Sequence, residues 1–368
     1  MTQPSLRRLD LGVDVAQLTA DLVDIYSVSG EERAIADALE EALRGLAHLE
    51  VVRDGDALIA RTSLGRSERV ILAGHLDTVP LPTAAGARAT VPGEWDGEVL
   101  YGRGTTDMKG GVAVQLALAA ALTDPVRDVT YVFYDHEEVE ASLSGLGRLA
   151  EHYPEWLRAD FAVLLEPTAG TVEGGCNGTA RFNVTTTGKA AHSARAWRGE
   201  NAIHKAAEVL VRLREHQPAT VPVDGLDYRE SLNAVLISGG TAGNVIPDRT
   251  VIEVNYRFAP DKSPDEAEQY VRGVLEGFEI ERTDAAAGAR PGLQHPAAAS
   301  FVAAVGAEPK PKYGWTDVAR FSELGIPAVN FGPGDALLAH SDDEHVHAGE
   351  VRECLRVLST WLSADNND

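Results

Sequence analysis

Seven side chains at five places in this sequence are of the types that hold metal ions or move protons. His75 and Asp77 stand two positions apart in VILAGHLDTVP. Asp107 lies in YGRGTTDMKGG, Glu137 and Glu138 in VFYDHEEVEA, Glu166 in AVLLEPT and His340 in FGPGDALLAHSDDEHV. Two histidines and three carboxylates suffice for two zinc ions about 3.5–4 Å apart, with one carboxylate shared between them. A carboxylate beyond that set is free to act as a general base on water. In an extended chain, residues i and i+2 face the same side, so Asp77 is placed to orient a metal-bound His75 from behind. Taken singly, each residue has a plainer use: Asp107 as a helix N-cap, the glutamate pair as a solvated turn, Glu166 as the start of a loop, His340 as an exposed side chain. His345 and His347 stand close enough to His340 to be rival ligands.

These residues gain meaning from the elements in front of them. Apolar runs near 50–60, 70–73, 129–134 and 161–165 read as strands, and each of the last three ends just before a candidate residue. The segment 110–122, GGVAVQLALAAAL, is a helix apolar nearly all round and is therefore expected to be buried. Residues 13–47 read as two helices broken at SVSGEE, with Ser29 and Glu32 as a capping box for the second. Strand–helix alternation of this kind predicts an α/β sheet layered by helices. In such sheets ligands gather at the carboxyl ends of the strands.

The middle of the chain changes character. ARFNVTTTG is a strand, ENAIHKAAEVLVRLREH an amphipathic helix, and SLNAVLISGG and RTVIEVNYRFA two further strands. A helix opened by Ser263 and Pro264 follows, then the strand FEIER. The order β-α-β-β-α-β is the ferredoxin-like arrangement. The run 283–292, TDAAAGARPG, reads as a connection back to the first domain. IPAVNFGPGD then supplies a strand and loop, and AGEVRECLRVLSTWLS the last helix. The expected organisation is a catalytic domain in two parts, 1–178 and 289–368, interrupted by an inserted domain at 179–288.

Composition narrows the partners. The 368 residues include 44% hydrophobic and 24% charged residues, the balance of an ordinary globular protein. A net charge of −23 argues against nucleic acid or an anionic membrane as partner. No apolar run is long enough for a membrane span, and no apolar stretch of the kind a secretory leader needs follows the basic residues of MTQPSLRRLDLG. The two cysteines, Cys176 and Cys354, have no metal or redox spacing, so both are expected to be reduced and structural in a cytoplasmic protein.

GHLDTVP, GRGTTDMKGG, the glutamate pair, LEPT and AHSDDEHV resemble, in order, the motifs of the zinc-dependent aminoacylase and carboxypeptidase superfamily. The resemblance spans nearly the whole chain. It implies a zinc-peptidase-like α/β/α catalytic domain with an inserted ferredoxin-like (βαββαβ) dimerisation domain. It implies two zinc ions per chain, with cobalt or manganese as substitutes: His75, Asp107 and Glu166 on one, Asp107, Glu138 and His340 on the other. It makes Glu137 the general base and Asp77 the partner of His75. Of the three histidines near 340, only His340 matches the family position.

In the inserted domain, TTTGKAAHSARAWRGENAIHKAA resembles the segment that carries the family's further active-site histidine, here His192. Its implied role is to polarise the scissile carbonyl or hold the oxyanion across a homodimer interface. GGTAGNVIPD resembles a loop with a substrate-facing asparagine, here Asn244. RGENAIHKAA and YGWTDVARF look most like the desuccinylase branch, which places Thr316, Arg320, Arg181 and Arg257 on the substrate. Arginine binds carboxylates through two parallel hydrogen bonds, which suits a small N-acyl amino acid with several carboxylates. Arg195 departs from the branch, standing where its pattern has an aromatic residue. A deacetylase, aminoacylase or carboxypeptidase of the same fold is the alternative. A catalytically idle relative is expected to have lost a ligand or the base, and a dinuclear phosphoesterase to lack these ordered motifs; neither description fits.

Overall fold

The structure, a computed structural model, describes residues 8–364. The N-terminal stretch read above lies largely outside them. The chain divides into two compact units. The first comprises Met1–Gly174, Gly292–Lys310 and Arg320–Asp368; the second comprises Gly175–Pro291 and Pro311–Ala319.

The first unit is built on a mixed sheet whose neighbouring strands run Glu50–Asp54, Ala57–Arg61, Asp128–Tyr134, Arg69–His75, Phe161–Leu164, Ala328–Asn330 and Glu173–Gly174. The four from Asp128–Tyr134 to Ala328–Asn330 are parallel. Strands covered on both faces read as unbroken apolar runs; all seven residues of Asp128–Tyr134 are buried. The helices Val15–Val23, Gly110–Ala121 and Ala348–Ser363 pack on one another. Gly110–Ala121 is buried along most of its length, including Val112, Ala113, Val114, Leu116 and Leu118. A side chain at Gly111 would collide with the Leu165 carbonyl, so glycine there lets the helix lie against the chain that leads to Glu166.

The second unit is a four-stranded antiparallel sheet in the order Ser231–Gly239, Arg249–Phe258, Gly178–Thr187, Glu279–Ala286. Helices Ala202–Glu215 and Pro264–Val274 bury Ala206, Val209, Leu213, Ala267 and Val271 in its core with Phe182, Val254 and Tyr256. The succession is β-α-β-β-α-β, interrupted by a hairpin, and Ser263 and Glu266 form a complete capping box at the second helix.

Three local expectations are corrected. The helix Arg33–Arg44 has Glu32 at its N-cap with no side-chain cap hydrogen bond, because Ser29 and Glu32 are engaged elsewhere. The apolar run 50–60 is a hairpin, Glu50–Asp54 with Ala57–Arg61, turning at Gly55 in the left-handed region (φ 60°). The connection at 283–292 begins as strand: pairing of Asp284, Ala285 and Ala286 with Arg181, Ala180 and Thr179 keeps the first four residues in the sheet. Several elements went unread, among them the helices Gly145–His152 and Pro296–Val305 and the hairpin of Thr220–Val223 and Leu226–Arg229. The hairpin's signal was the Asp224–Gly225 pair, both at positive φ (48° and 92°), which suits a two-residue hairpin turn.

Candidate metal centre

In the first unit's sheet the strand Arg69–His75 lies between Asp128–Tyr134 and Phe161–Leu164. The chain therefore moves to one side of Arg69–His75 and then crosses to the other. Such a switch in strand order opens a crevice at the carboxyl ends. His75 ends the first of these strands and Glu166 follows the last by two residues, so the two flank the crevice. Both are buried, at 1% and 5% exposure.

Asp107 reaches the same place from the segment before the helix Gly110–Ala121. The cap of that helix is Lys109, and at Asp107 the backbone is extended (φ −121°, ψ 93°), with a cis bond to Met108. Asp107 is thus no helix cap. Its backbone N–H and that of Thr106 both donate to Glu344 Oε1 at 3.1 Å. Glu344 Oε2 accepts from Arg103 Nη1 at 2.7 Å, and the pair is buried.

His75 Nε2 lies 3.0 Å from Asp107 Oδ1. His75 Nδ1 faces the backbone carbonyl of Asp77 at 2.9 Å, whereas the Asp77 carboxylate is 3.7 Å away. A carbonyl only accepts, so Nδ1 carries a proton and Nε2 is the atom turned to the cluster. The Asp77 carboxylate has a different task. Its two oxygens accept the backbone N–H groups of Glu137 and Glu138, each at 3.0 Å, and Ser29 Oγ donates to it at 2.7 Å. His340, at a positive φ of 62°, brings Nε2 to 2.9 Å from Glu138 Oε1 and 3.4 Å from Asp107 Oδ2.

Three groups of ligating atoms lie within 4.8 Å of one another: His75 with Asp107 and Glu166, Asp107 with Glu138 and His340, and His75 with Glu137 and Glu138. Asp107 is common to the first two. Nitrogen and carboxylate donors in threes, leaving a position open, suit catalytic zinc, and the mixed set also accommodates cobalt or manganese. The electrostatics agree. Burial opposes the charge on Asp107, but hydrogen bonds from His340 and His75 hold it below the usual carboxylate range. The Asp107 and Glu138 hydrogen bonds raise His340 to about 10, against burial. Burial lowers His75, yet Asp107, Asp77 and Glu137 together raise it well above its ordinary value. Protons on two imidazoles here balance carboxylates that a cation would balance more strongly.

His345 and His347 have other uses. The His345 ring sits 4.7 Å from that of Tyr101, and His347 Nδ1 accepts the Gly349 N–H at the start of the last helix. Among the described residues neither joins a group of three ligating atoms. A cavity of about 930 Å³ lined by Leu9, Leu11, Ala42, Leu46 and Ala120 includes none of the cluster residues.

Within the second unit, His192 and Asn244 are exposed neighbours: His192 pairs with Val245, and Ser193 N–H donates to the Asn244 carbonyl at 2.9 Å. His192 Nδ1 accepts the Ala194 N–H at 3.1 Å, which puts the ring proton of the neutral form on Nε2. Arg181 stands opposite Asn255, so Arg257, two residues on, shares its face of the sheet. Burial lowers the Arg257 pKa, and the like charge of Arg181 lowers it further. Thr316 is buried in the second unit. Arg320 belongs to the first unit, where its Nη2 donates to the Ala141 carbonyl at 3.3 Å.

Sequence reasoning missed Glu344, Arg103, Ser29, Glu32 and His136 as supports of this cluster. Glu344 lay inside the motif around His340, but its type and spacing did not single it out from the acidic residues beside it.

The sequence pattern of peptidase family M20/M25/M40 matches residues 71–364. The chain is 44% identical over 366 residues to the succinyl-diaminopimelate desuccinylase of Corynebacterium glutamicum, covering 96% of this chain and 98% of that one. It is 52% identical over 357 residues, 96% of this chain and 99% of the other, to a Mycobacterium tuberculosis protein with the provisional name succinyl-diaminopimelate desuccinylase DapE. In fold it is similar to an M20 family metallo-carboxypeptidase of Sulfolobus solfataricus, with a TM-score of 0.77 at 16% identity over 95% of this chain and 98% of that one.

Proposed function

Because the chain belongs to peptidase family M20/M25/M40, we propose that it hydrolyses N-succinyl-LL-2,6-diaminopimelate to succinate and LL-2,6-diaminopimelate, a step of lysine biosynthesis. The observation that carries this reading is the 44% identity to a desuccinylase across nearly the whole of both chains. The chain is a metal-dependent hydrolase acting on an amide.

The metals are two zinc ions, for which cobalt or manganese can substitute. His75, Asp107 and Glu166 hold one, and Asp107, Glu138 and His340 the other, in keeping with the two groups of ligating atoms that share Asp107. When bound, the ions polarise the scissile carbonyl and lower the pKa of water. Glu137 takes the proton from the attacking water oxygen as it bonds to the amide carbon. It gives that proton to the nitrogen as the carbon–nitrogen bond breaks, and the second water proton passes from the new carboxyl group to the amine, so the products are a carboxylate and an ammonium. Asp77 fixes where Glu137 stands by holding the backbone of its turn. His192 offers Nε2–H to the oxyanion, a neutral donor that its Nδ1 hydrogen bond fixes. Asn244 and Thr316 add polar contacts. Arg181, Arg257 and Arg320 bind substrate carboxylates. Two guanidiniums on one sheet face repel each other, so an anion between them is favoured.

The protein acts as a homodimer through the second unit. Its edge strand Ser231–Gly239 leaves Val235, Leu236 and Ile237 at 60%, 56% and 48% exposure. The helix Ala202–Glu215 adds exposed Ile203, Leu210 and Val211. An open apolar edge invites strand pairing with another copy. Buried, unpaired Cys176 and Cys354 suit a cytoplasmic setting. No helix among the described residues is long and apolar enough to cross a membrane.

The deciding experiment assays the zinc-loaded protein in parallel on N-succinyl-diaminopimelate, N-acetylornithine and a simple N-acyl amino acid. Strong preference for the first is expected. Preference for another leaves the metal site in place and removes the substrate assignment.

A further inference from the structure

The helix Arg33–Arg44 starts without a side-chain cap, although Ser29 and Glu32 just before it have the types to form one. Both face the turn that carries the tandem glutamates. Ser29 Oγ donates to Asp77 Oδ2 at 2.7 Å. Glu32 is completely buried; its Oε1 accepts the His136 backbone N–H at 3.3 Å and lies 3.5 Å from His136 Nδ1. His136 has a left-handed backbone (φ 58°). The N–H groups of His136, Glu137 and Glu138 are thus taken, in succession, by the buried carboxylates of Glu32 and Asp77. Successive amides in a turn with one left-handed residue make a concavity that binds anions. On the other side, His136 Nδ1 lies 2.7 Å from Asp135 Oδ2, whose Oδ1 accepts from Arg148 Nη2 at 2.7 Å.

A buried carboxylate close to a second one is costly to keep charged, and a serine or asparagine at the cap would serve the helix without that cost. Glu32 gives Oε1 to the turn, and the backbone amides of Gly30 and of Glu32 itself also favour its charged form. We propose that Glu32 is a positioning residue for the tandem glutamates: with Asp77 it grips three successive amides, and so fixes the rotation of the turn that aims Glu137 and Glu138. This rests on the assignment of Glu138 as a metal ligand made above. Glu32 touches neither substrate nor metal, and acts through the backbone of His136.

The test is titration of the metal-free protein with cobalt(II), followed by visible absorbance, alongside kcat, KM and thermal midpoint. In Glu32→Ala one of the two cobalt equivalents is expected to weaken about tenfold or more, with an altered visible spectrum. The other equivalent, held without the turn, stays as in the wild type. Turnover falls by a similar factor with KM within about twofold, as for loss of an interaction felt in the transition state. Glu32→Gln, which keeps an acceptor for the His136 N–H, restores both. If Glu32→Ala does not fold, Glu32→Asp, one methylene too short to reach, is expected to show the same selective loss. A lowered thermal midpoint with both cobalt equivalents and turnover unchanged makes Glu32 merely structural and overturns the proposal. Absence of wild-type turnover on N-succinyl-diaminopimelate would sink the substrate assignment alone, because the cobalt titration still reads Glu32.

Discussion

One oxygen of the Asp77 carboxylate accepts the backbone N–H of Glu137 at 3.0 Å, two residues past the strand end that delivers His75. The other oxygen takes the next N–H, that of Glu138, together with the Ser29 hydroxyl. The three groups hydrogen-bonded to this carboxylate are all donors, and the side chain is fully buried. In Asp77→Asn, whichever way the amide turns, its NH2 meets at least one N–H donor. The substitution is expected to cost about 1–3 kcal/mol of stability and about 10–100-fold in activity or metal affinity. Chemical denaturation of the metal-free protein and a metal titration measure the two effects. Unchanged values in both would mean the carboxylate does not hold the turn.

Glu137 lies in one ligating group with His75 and Glu138, so it has two possible employments, as base or as ligand. Glu137→Gln separates them. The amide keeps the shape of the side chain but cannot take a proton. As general base, its loss costs about 10²–10⁴-fold in kcat with two metals still bound by elemental analysis. A variant that loses a metal equivalent in proportion to its activity makes Glu137 a ligand, and a near-normal rate removes it from the chemistry.

The cluster was legible because its parts sit at ends of short apolar runs, which sequence shows directly. His75, Asp107, Glu166 and His340 each follow or precede such a run, and the parallel sheet gathers strand ends at one edge. What lay beyond reading was which neighbour each support would choose. Ser29 and Glu32 carry the local spacing of a capping box, yet their partners Asp77 and His136 lie 48 and 104 residues away. A local pattern has no term for contacts at that separation, so tertiary demand won over the cap. Likewise the i, i+2 geometry brought His75 and Asp77 together, but not the choice of the backbone carbonyl over the carboxylate as the acceptor for Nδ1. In the second unit the amphipathic helices and alternating strands fixed the βαββαβ order, whereas the end of the last strand depended on pairing with Gly178–Thr187.

Metal binding must displace protons. In the metal-free protein the Asp107 and Glu138 hydrogen bonds raise His340 from 6.5 to about 10, so at neutral pH its Nε2 is occupied by a proton that a metal has to remove. Apparent zinc affinity should therefore climb with pH and level off as pH passes about 10. The sign for stability is opposite. A pKa raised on folding stabilises fully below the unfolded value of 6.5, and that contribution is lost as pH rises through about 10. The metal-free protein should lose thermal stability across this window by a share that the zinc-loaded protein lacks. Calorimetric titration with zinc at neutral pH, in two buffers of different ionisation enthalpy, counts the protons. At least one released per chain is expected; none would mean that His340 does not enter the metal's coordination.

The exposed edge of the second unit gives a test of assembly. Val235 sits at a break in the pairing register, Leu236 and Ile237 after it alternate across the strand, and all three are about half exposed or more. A solvated edge strand is ordinarily protected by charge, and the opposite edge, Glu279–Ala286, shows that protection with Glu279, Glu281, Arg282 and Asp284. On that contrast, the strand pairing proposed above falls to the apolar edge. Leu236→Lys places a charge in the middle of that edge and another opposite it in a symmetric pair, where like charges oppose association. Light scattering coupled to gel filtration is expected to read a dimer for the wild type and a monomer for the variant. Because Leu236 is well exposed, the monomer should keep its thermal stability apart from what dimerisation itself supplies. A wild-type protein that is monomeric and fully active at assay concentration would exclude both the dimer and any role for a partner's His192.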